Sequence, residues 1–224
     1  MFLSTIFLLF GIITIHWLHN QYQLDILLEI TPPPKNAPLI SICVPARNEE
    51  RNIRRCVEAL LAQDYPNFEI LVLEDRSTDS TAKILDSLPK QDARLRIIPG
   101  DALPLGWAGK PHALVQASAS ALGKWLCFID ADTFPAPETI SAVYAKALES
   151  EADLFSIFTH QEMGSFWERT ILPLVLTALS AGFSPRKVND PKSDIAIANG
   201  QFIFIKRTVY DAIGGHAAIK DSIV

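Results

Sequence analysis

From residue 39 onward, short apolar runs alternate with amphipathic stretches, and this alternation narrows the possible folds more than any other feature. The apolar runs are Leu39–Val44, Glu69–Leu73, Leu95–Pro99 and Trp125–Ile129, and between them lie helical patterns over Glu50–Ala62, Ser80–Leu88 and Pro111–Leu122. In the first helical pattern Ile53, Cys56, Val57, Leu60 and Leu61 share one stripe, while Arg51, Arg54 and Arg55 lie off it. Asn48 is placed to cap that helix, with Glu49 and Glu50 at its positive end. Strands that are apolar throughout and separated by helices predict an α/β fold, a mostly parallel sheet with helices on both faces. Right-handed crossovers then bring the carboxyl ends of the strands to one edge, where open sheets of this kind bind ligands. A chain of 224 residues suffices for one such domain.

The amino-terminal residues break this pattern. Met1 to Leu18 carries no Lys, Arg, Asp or Glu, with Trp17 near its end. Residues 1–18 are therefore expected to form a membrane anchor, since roughly 17–25 apolar residues span a bilayer. A cleaved signal peptide is the rival, but the segment lacks a basic start and a small-residue cleavage site. Residues 19–38 read as a juxtamembrane linker, stiffened by the prolines of Thr31 to Pro38. The domain proper is expected over residues 39–224. Within it, Phe166 to Phe183 suits either a membrane-interface helix or an ordinary buried one. The 3 cysteines, Cys43, Cys56 and Cys127, are scattered and fit a reducing compartment. None of the 5 histidines has zinc-ligand spacing, so any metal should be held by oxygen. A net charge of -5, with no basic block interleaved with aromatics, argues against nucleic acid as a partner.

Four polar clusters sit where the pattern places the carboxyl ends of strands or the start of a helix. Pro45-Ala46-Arg47-Asn48-Glu49 follows the first strand, and by itself it reads as a turn and a helix cap. Glu74-Asp75 follows the second strand, and adjacent carboxylates there repel unless something is hydrogen-bonded or bound. A carboxylate at that place can accept the imide N–H of uracil, and the alternative is a capped turn served by Ser77 or Asp79. Gly106-Trp107-Ala108-Gly109-Lys110 leads into the Ala-rich helix, and a helix start with a lysine suits phosphate. Asp130-Ala131-Asp132 ends the fourth strand; an extended backbone would send both carboxylates to one side, where Mg²⁺ or Mn²⁺ could be held together with phosphate oxygens.

In this order and spacing, the four clusters resemble glycosyltransferase family 2, the inverting group with the GT-A fold. The resemblance implies a nucleotide-sugar donor, a UDP-sugar, contacted by Pro45, Ala46, Glu49, Asp75, Gly109, Lys110 and Asp130. It implies a divalent cation on Asp130 and Asp132, with Asp132 the direct ligand. Glu74 stands where the family more often has Asp. The segments His160-Gln161-Glu162, Phe166-Trp167-Glu168-Arg169, Asn199-Gly200-Gln201 and Gly214-Gly215-His216 are similar to a narrower branch that includes hopanoid-associated and carotenoid glycosyltransferases. That branch is membrane-bound and acts on lipids, which implies a lipid acceptor and a site at the cell membrane with the catalytic domain cytoplasmic. Asn199, Gly200, Gln201, Gly214, Gly215 and His216 would line the acceptor side, although Gly214-Gly215 also reads as a plain helix stop after Thr208–Ile213.

An inverting transferase needs a general base to take the acceptor's proton. The resemblance puts that base in a Glu-Asp pair expected immediately after Val224, so no catalytic residue is expected within these residues. The alternative function is accordingly a truncated donor-binding pseudoenzyme. A phosphoacceptor domain would need an acidic pair after the first strand, where Pro45-Ala46-Arg47 stands instead. A nucleotidyltransferase would need a Gly-rich basic loop there.

Overall fold

The computed structural model describes residues 2–22, 32, 36–88, 92–182 and 184–221. In chain order the elements are α1 (Phe2–Tyr22), β1 (Ile40–Ala46), α2 (Ile53–Leu61), β2 (Phe68–Glu74), α3 (Thr81–Ser87), β3 (Leu95–Pro99), α4 (Gly109–Ser120) and β4 (Trp125–Ile129). They continue with α5 (Thr139–Glu149), β5 (Leu154–Ser156), α6 (Phe166–Gly182), α7 (Pro185–Val188), β6 (Phe202–Lys206), α8 (Arg207–Ala212) and a 3₁₀ turn at Gly215–Ile219. The chain divides into two units, Met1–Ile26 with His160–Ile197, and Leu27–Thr159 with Ala198–Val224.

The larger unit holds a six-stranded sheet in the order β3-β2-β1-β4-β6-β5. β1 lies parallel to β2 and to β4, and β2 parallel to β3. β6 runs antiparallel to both β4 and β5, so the sheet is mixed, with its parallel half built from the expected strands. β1, β2 and β4 are buried along nearly their whole length, as expected for central strands covered on both faces. Side-chain alternation divides the core in two. Ile42, Val44, Ile70, Val72, Cys127 and Ile129 pack with α2, α3 and α5 on one face. Cys43, Leu71, Leu73, Leu126 and Phe128 pack with α4 and α8 on the other. Each of the fully buried Ile and Leu side chains contributes about 1.5–3 kcal/mol of burial free energy.

All three cysteines are buried and free. Burial, aided by the Glu69 charge, pushes the Cys43 thiol up to about 12, so it acts as a small apolar side chain rather than a nucleophile.

The helix start inferred near Glu50 is shifted. α2 begins at Ile53, and Asn48 is not its cap but sits in left-handed backbone at φ 58°. α4 begins at Gly109 rather than Pro111, which brings Gly109 and Lys110 into its first turn. Pro45 falls within β1 but past the last β1–β4 pair, Cys43 with Phe128, so its missing N–H breaks no bond on that side.

In the smaller unit, α1 packs against α6. Residues 2–22 are helical as expected, yet among the described residues no helix is long and apolar enough to cross a membrane. The spanning anchor expected over residues 1–18 is therefore not borne out. After Ile15 the helix carries His16, His19 and Asn20, and the preceding apolar run reaches only about 21 Å at ~1.5 Å per residue, against ~30 Å of hydrocarbon. Helix α6 opens on a reciprocal cap, in which Ser165 Oγ accepts from Glu168 N at 3.1 Å and Glu168 Oε2 accepts from Ser165 N at 2.7 Å. Its Phe166, Trp167 and Leu174 are exposed, so it is not an ordinary buried helix. Phe183 and most of the Pro-rich linker lie outside the described residues.

Candidate functional site

The loops that leave β1 and β2 are laced together by reciprocal hydrogen bonds. Asn48 N donates to Ser77 Oγ at 3.1 Å, while Thr78 N donates to Asn48 Oδ1 at 2.8 Å. Glu50 N donates to Asp79 Oδ2 at 3.1 Å, and Ser80 N returns a bond to Glu50 Oε2 at 3.0 Å. This lacing holds two residues in left-handed backbone, Asn48 at φ 58° and Arg76 at φ 53°. The consequence is that both loops deliver a guanidinium to one carboxylate. Arg47 Nη1 lies 3.6 Å from Asp75 Oδ2, and Arg76 Nε lies 3.4 Å from Asp75 Oδ1.

Asp75 is 4% exposed, with its backbone N–H bonded to Ala46 O at 2.8 Å. The neighbouring carboxylate that should repel it is engaged elsewhere, because Glu74 Oε1 accepts Ser77 N at 2.7 Å. Gly109 opens on the same place: a side chain there would begin 3.7 Å from Arg47 Nη1 and 3.8 Å from Asp75 Oδ2. Glu49 serves the start of α2, its backbone O accepting Ile53 N at 2.9 Å and its Oε2 accepting Asn52 Nδ2 at 3.1 Å.

The second group of residues stands at the end of β4. Lys110 Nζ, in the first turn of α4, lies 2.7 Å from Asp130 Oδ1 and 2.9 Å from Oδ2, a two-oxygen contact between partly exposed groups. The extended Asp130–Asp132 backbone expected from the sequence is replaced by a turn, in which Thr133 N donates to Asp130 O at 3.0 Å. β4 ends at Ile129 because its partner β6 does, Ile129 facing Phe202. The i/i+2 argument for shared side-chain direction therefore does not apply. Asp130 is instead partly buried against Lys110, and Asp132 is exposed.

The two aspartates and Glu49 nevertheless act on one group, the Cys56 thiol. It is pushed up to about 12 by burial first and then by the charges of Asp132, Glu49 and Asp130. Among the described residues no group of three or more His, Cys, Asp or Glu could hold a metal ion by itself. The donor set of two carboxylates beside a phosphate-suited helix start still fits a hard cation, since Mg²⁺ is usually held by one or two carboxylates plus substrate phosphates.

Next to this pair lies a cavity lined by Lys110, Asp130, Phe128, Gly200, Ile203 and His216. Gln201 reaches its edge through the backbone, its O accepting Asp130 N at 3.2 Å. Asn199 fixes that loop, donating from Nδ2 to Ile157 O at 3.1 Å and from its backbone N to Ser156 Oγ at 2.8 Å. His216 packs edge-on against Phe128, ring centroids 4.6 Å apart. Burial first, and the Lys110 charge second, push its imidazole down to about 4, so it is neutral near pH 7.

Gly214 and Gly215 do not share this cavity. They line a separate groove with Tyr210 and Arg207, and with φ of 79° and 51° they turn the chain after α8. A side chain on Gly215 would collide with the Tyr210 ring. The plain helix-stop reading of these two glycines is thus the one their geometry matches. Arg47, Arg76, Tyr210 and Ser118 were not singled out in the sequence. Arg76 carries a partial signal, standing directly after the Asp75 carboxylate at a strand end, whereas nothing in residue spacing brings Arg47 to the same carboxylate.

A half-parallel sheet with a carboxylate between two arginines and a lysine-paired aspartate along its carboxyl edge defines an α/β domain of the class that binds ligands at that edge. The chain belongs to glycosyltransferase family 2, whose model, described as glycosyl transferase family 2, matches residues 41–214. Among characterised relatives it is similar to 4,4'-diaponeurosporenoate glycosyltransferase of Staphylococcus aureus, at 30% identity over 195 residues, covering 84% of this chain and 49% of that protein. It is also similar to beta-monoglucosyldiacylglycerol synthase of Synechocystis, at 30% identity over 193 residues, covering 80% of this chain and 37% of that one. The chain thus spans less than half the length of these relatives.

Its fold resembles the mannosyltransferase PcManGT of Pyrobaculum calidifontis, solved with GDP-Man and Mn²⁺, with a TM-score of 0.65 at 21% identity over 92% of this chain and 55% of that one. Glucosyl-3-phosphoglycerate synthase of Mycobacterium tuberculosis, solved with UDP, gives a TM-score of 0.51 at 21% identity over 78% of this chain and 59% of that one. The GT-A architecture is shared with both.

Proposed function

We propose that this chain binds a UDP-sugar and a divalent cation, and that the protein it forms transfers the sugar to a lipid-type acceptor with inversion. The observation that carries this reading is the gathering of Asp75, Gly109, Lys110 and Asp130 on one edge of the sheet, with the Asp75 carboxylate buried between Arg47 and Arg76. Asp75 accepts the imide N–H of the uracil ring. Arg47 and Arg76 hold that carboxylate in place from two loops, and Gly109 leaves room for the nucleoside.

Asp132 and Asp130 are the residues that would hold Mg²⁺ or Mn²⁺, and the bound cation supplies charge neutralisation of the leaving diphosphate. Lys110 then exchanges its contact with Asp130 for the diphosphate oxygens, where the first turn of α4 adds N–H groups of its own. Gly200 and Gln201 border the space beyond. Support for a lipid-type acceptor at the cell membrane comes from the two relatives, which act on a carotenoid acid and make a glycolipid by name, and from exposed Phe7, Leu8 and Ile12 on α1 and Phe166, Trp167 and Leu174 on α6.

The test is calorimetry with UDP and Mn²⁺ on the wild-type chain and on Asp132→Ala. Manganese-dependent UDP affinity should fall by about tenfold or more, ~1.4 kcal/mol, when this ligand is lost. Equal binding by both proteins would remove the metal assignment, and no UDP binding by wild type would remove the nucleotide reading.

A further inference from the structure

The cavity beside the Lys110–Asp130 pair contains one polar group for which the proposed function has no use. Its lining is otherwise apolar or backbone: Leu114, Phe128, Ile129, Gly200 and Ile203. On the nucleotide-sugar reading, Lys110 and Asp130 are taken up by the diphosphate and the cation. His216 is then the remaining side chain among the described lining residues with a polar atom to offer.

What it offers follows from counting protons through three side chains. Ser118 Oγ donates to Val115 O at 2.9 Å, and a hydroxyl has one proton to give. Toward Tyr210, 3.1 Å away, Ser118 can therefore only accept, and Tyr210 spends its own proton on Ser118. Burial raises the Tyr210 phenol above its ordinary value, so that proton is present at neutral pH. The Tyr210 oxygen then accepts twice from the same residue, from His216 N at 3.2 Å and from His216 Nδ1 at 3.0 Å. His216 thus carries its ring proton on Nδ1, and Nε2 is left with a bare lone pair. Held neutral, the ring accepts a hydrogen bond and donates none from Nε2.

We propose that His216 Nε2 accepts a hydrogen bond from a hydroxyl of the transferred sugar, in a tautomer fixed by the Ser118–Tyr210 relay. The inference rests on the nucleotide-sugar reading and adds to it the group that distinguishes UDP-sugar from UDP. The sugar is the portion of the donor attached to the diphosphate, and so the part that reaches the space beside Lys110 and Asp130. Phe128, Ile203 and Leu114 suit the C–H face of a pyranose, and a lone-pair acceptor suits one of its hydroxyls. Tyr210 and Ser118 touch no ligand in this scheme and act as positioning residues.

The test uses the full chain with Mn²⁺ and four probes: UDP, UDP-glucose, UDP-galactose and UDP-N-acetylglucosamine. Nitrogen NMR of the histidine-labelled protein at pH 7 should show His216 as the Nδ1–H tautomer, with the Nε2 signal moving on addition of the UDP-sugar bound most tightly and not on addition of UDP. His216→Asn retains a donor close to the position of Nδ1 and has nothing in place of Nε2. Its affinity for that UDP-sugar should fall by about five- to tenfold, while its affinity for UDP stays within about twofold. Tyr210→Phe removes the relay and should give a mixture of tautomers and a loss of about threefold for the UDP-sugar. An Nε2–H tautomer in wild type, an equal loss for UDP and UDP-sugar in His216→Asn, or no loss at all would overturn the inference. A wild-type chain that binds UDP but gains nothing from any of the sugars would overturn it as well and leave the nucleotide reading standing. A chain that binds no UDP would overturn both.

Discussion

Asp75 shows how much chemistry rests on the backbone conformation of its neighbours. Left-handed residues other than glycine carry a conformational cost of order 1 kcal/mol, and here two of them, Asn48 and Arg76, flank the same carboxylate. The bonds between Asn48, Ser77, Thr78, Glu50 and Asp79 hold both in place, so Arg47 and Arg76 meet Asp75 from two loops. The carboxylate itself was legible in the sequence, because a Glu-Asp step after a buried strand calls for a partner. The arginine pair was not legible, since nothing in residue spacing reports that positions 48 and 76 turn left-handed. If Asp75 reads the uracil imide, Asp75→Asn, which loses the charge on that acceptor, should weaken UDP binding by about tenfold, ~1.4 kcal/mol. Calorimetry with UDP checks it, and an unchanged dissociation constant would restrict Asp75 to pairing with the arginines.

At the scale of elements, helix α4 links the site to the opposite edge of the sheet. Its first turn supplies Gly109 and Lys110, and Ala108 N just before it donates to Lys220 O at 2.6 Å. Its far end is gripped by charged side chains. Arg207 donates from Nη2 to Ala121 O at 2.8 Å and from Nε to Gly123 O at 3.0 Å, and Arg96 Nη1 donates to Ser120 O at 3.1 Å. Leu122 N donates to Glu69 Oε1 at 2.6 Å, which also accepts Ser41 Oγ at 2.6 Å. Cations on the carbonyls that end a helix are favourable, and here they fix α4 along its axis. The same crowding requires Gly123, where a side chain would begin 2.6 Å from Ser41 N. Arg207→Met keeps most of the stem and removes these bonds, and should cost about 2–3 kcal/mol in urea unfolding. The central strands and α2, α3 and α4 were readable from apolar periodicity. β6 was not, because it arrives from residue 202 and pairs antiparallel beside β4, a choice made by long-range packing such as the stacked Trp125 and Phe204 rings, 4.6 Å apart.

For the whole molecule, sequence periodicity gave a faithful account of the parallel half of the sheet and of the edge at which Asp75, Gly109, Lys110 and Asp130 gather, because both follow from local pattern and crossover handedness. It gave less at the amino terminus, where apolarity alone suggested a spanning anchor while the polar end of α1 shortens the apolar run. Global stability should carry the signature of groups whose protonation differs between the folded and unfolded chain, His216 and Asp92 among them. His216 is held neutral by burial down to about 4, against an ordinary value of 6.5, so between those values the unfolded chain binds more protons and stability falls as pH drops. Asp92, hydrogen-bonded by Arg94, is held down to about 2 against 3.8; its contribution is complete above pH 3.8 and is lost as pH falls from there through 2. Both groups are partly exposed, so each is expected to contribute about 1–2 kcal/mol. Urea unfolding followed from pH 7.5 to about 2 should therefore lose stability in two consecutive windows, 6.5 to 4 and then 3.8 to 2. In His216→Asn the upper decline should flatten while the lower one stays, and an upper decline of undiminished size in that variant would show that groups other than His216 cause it.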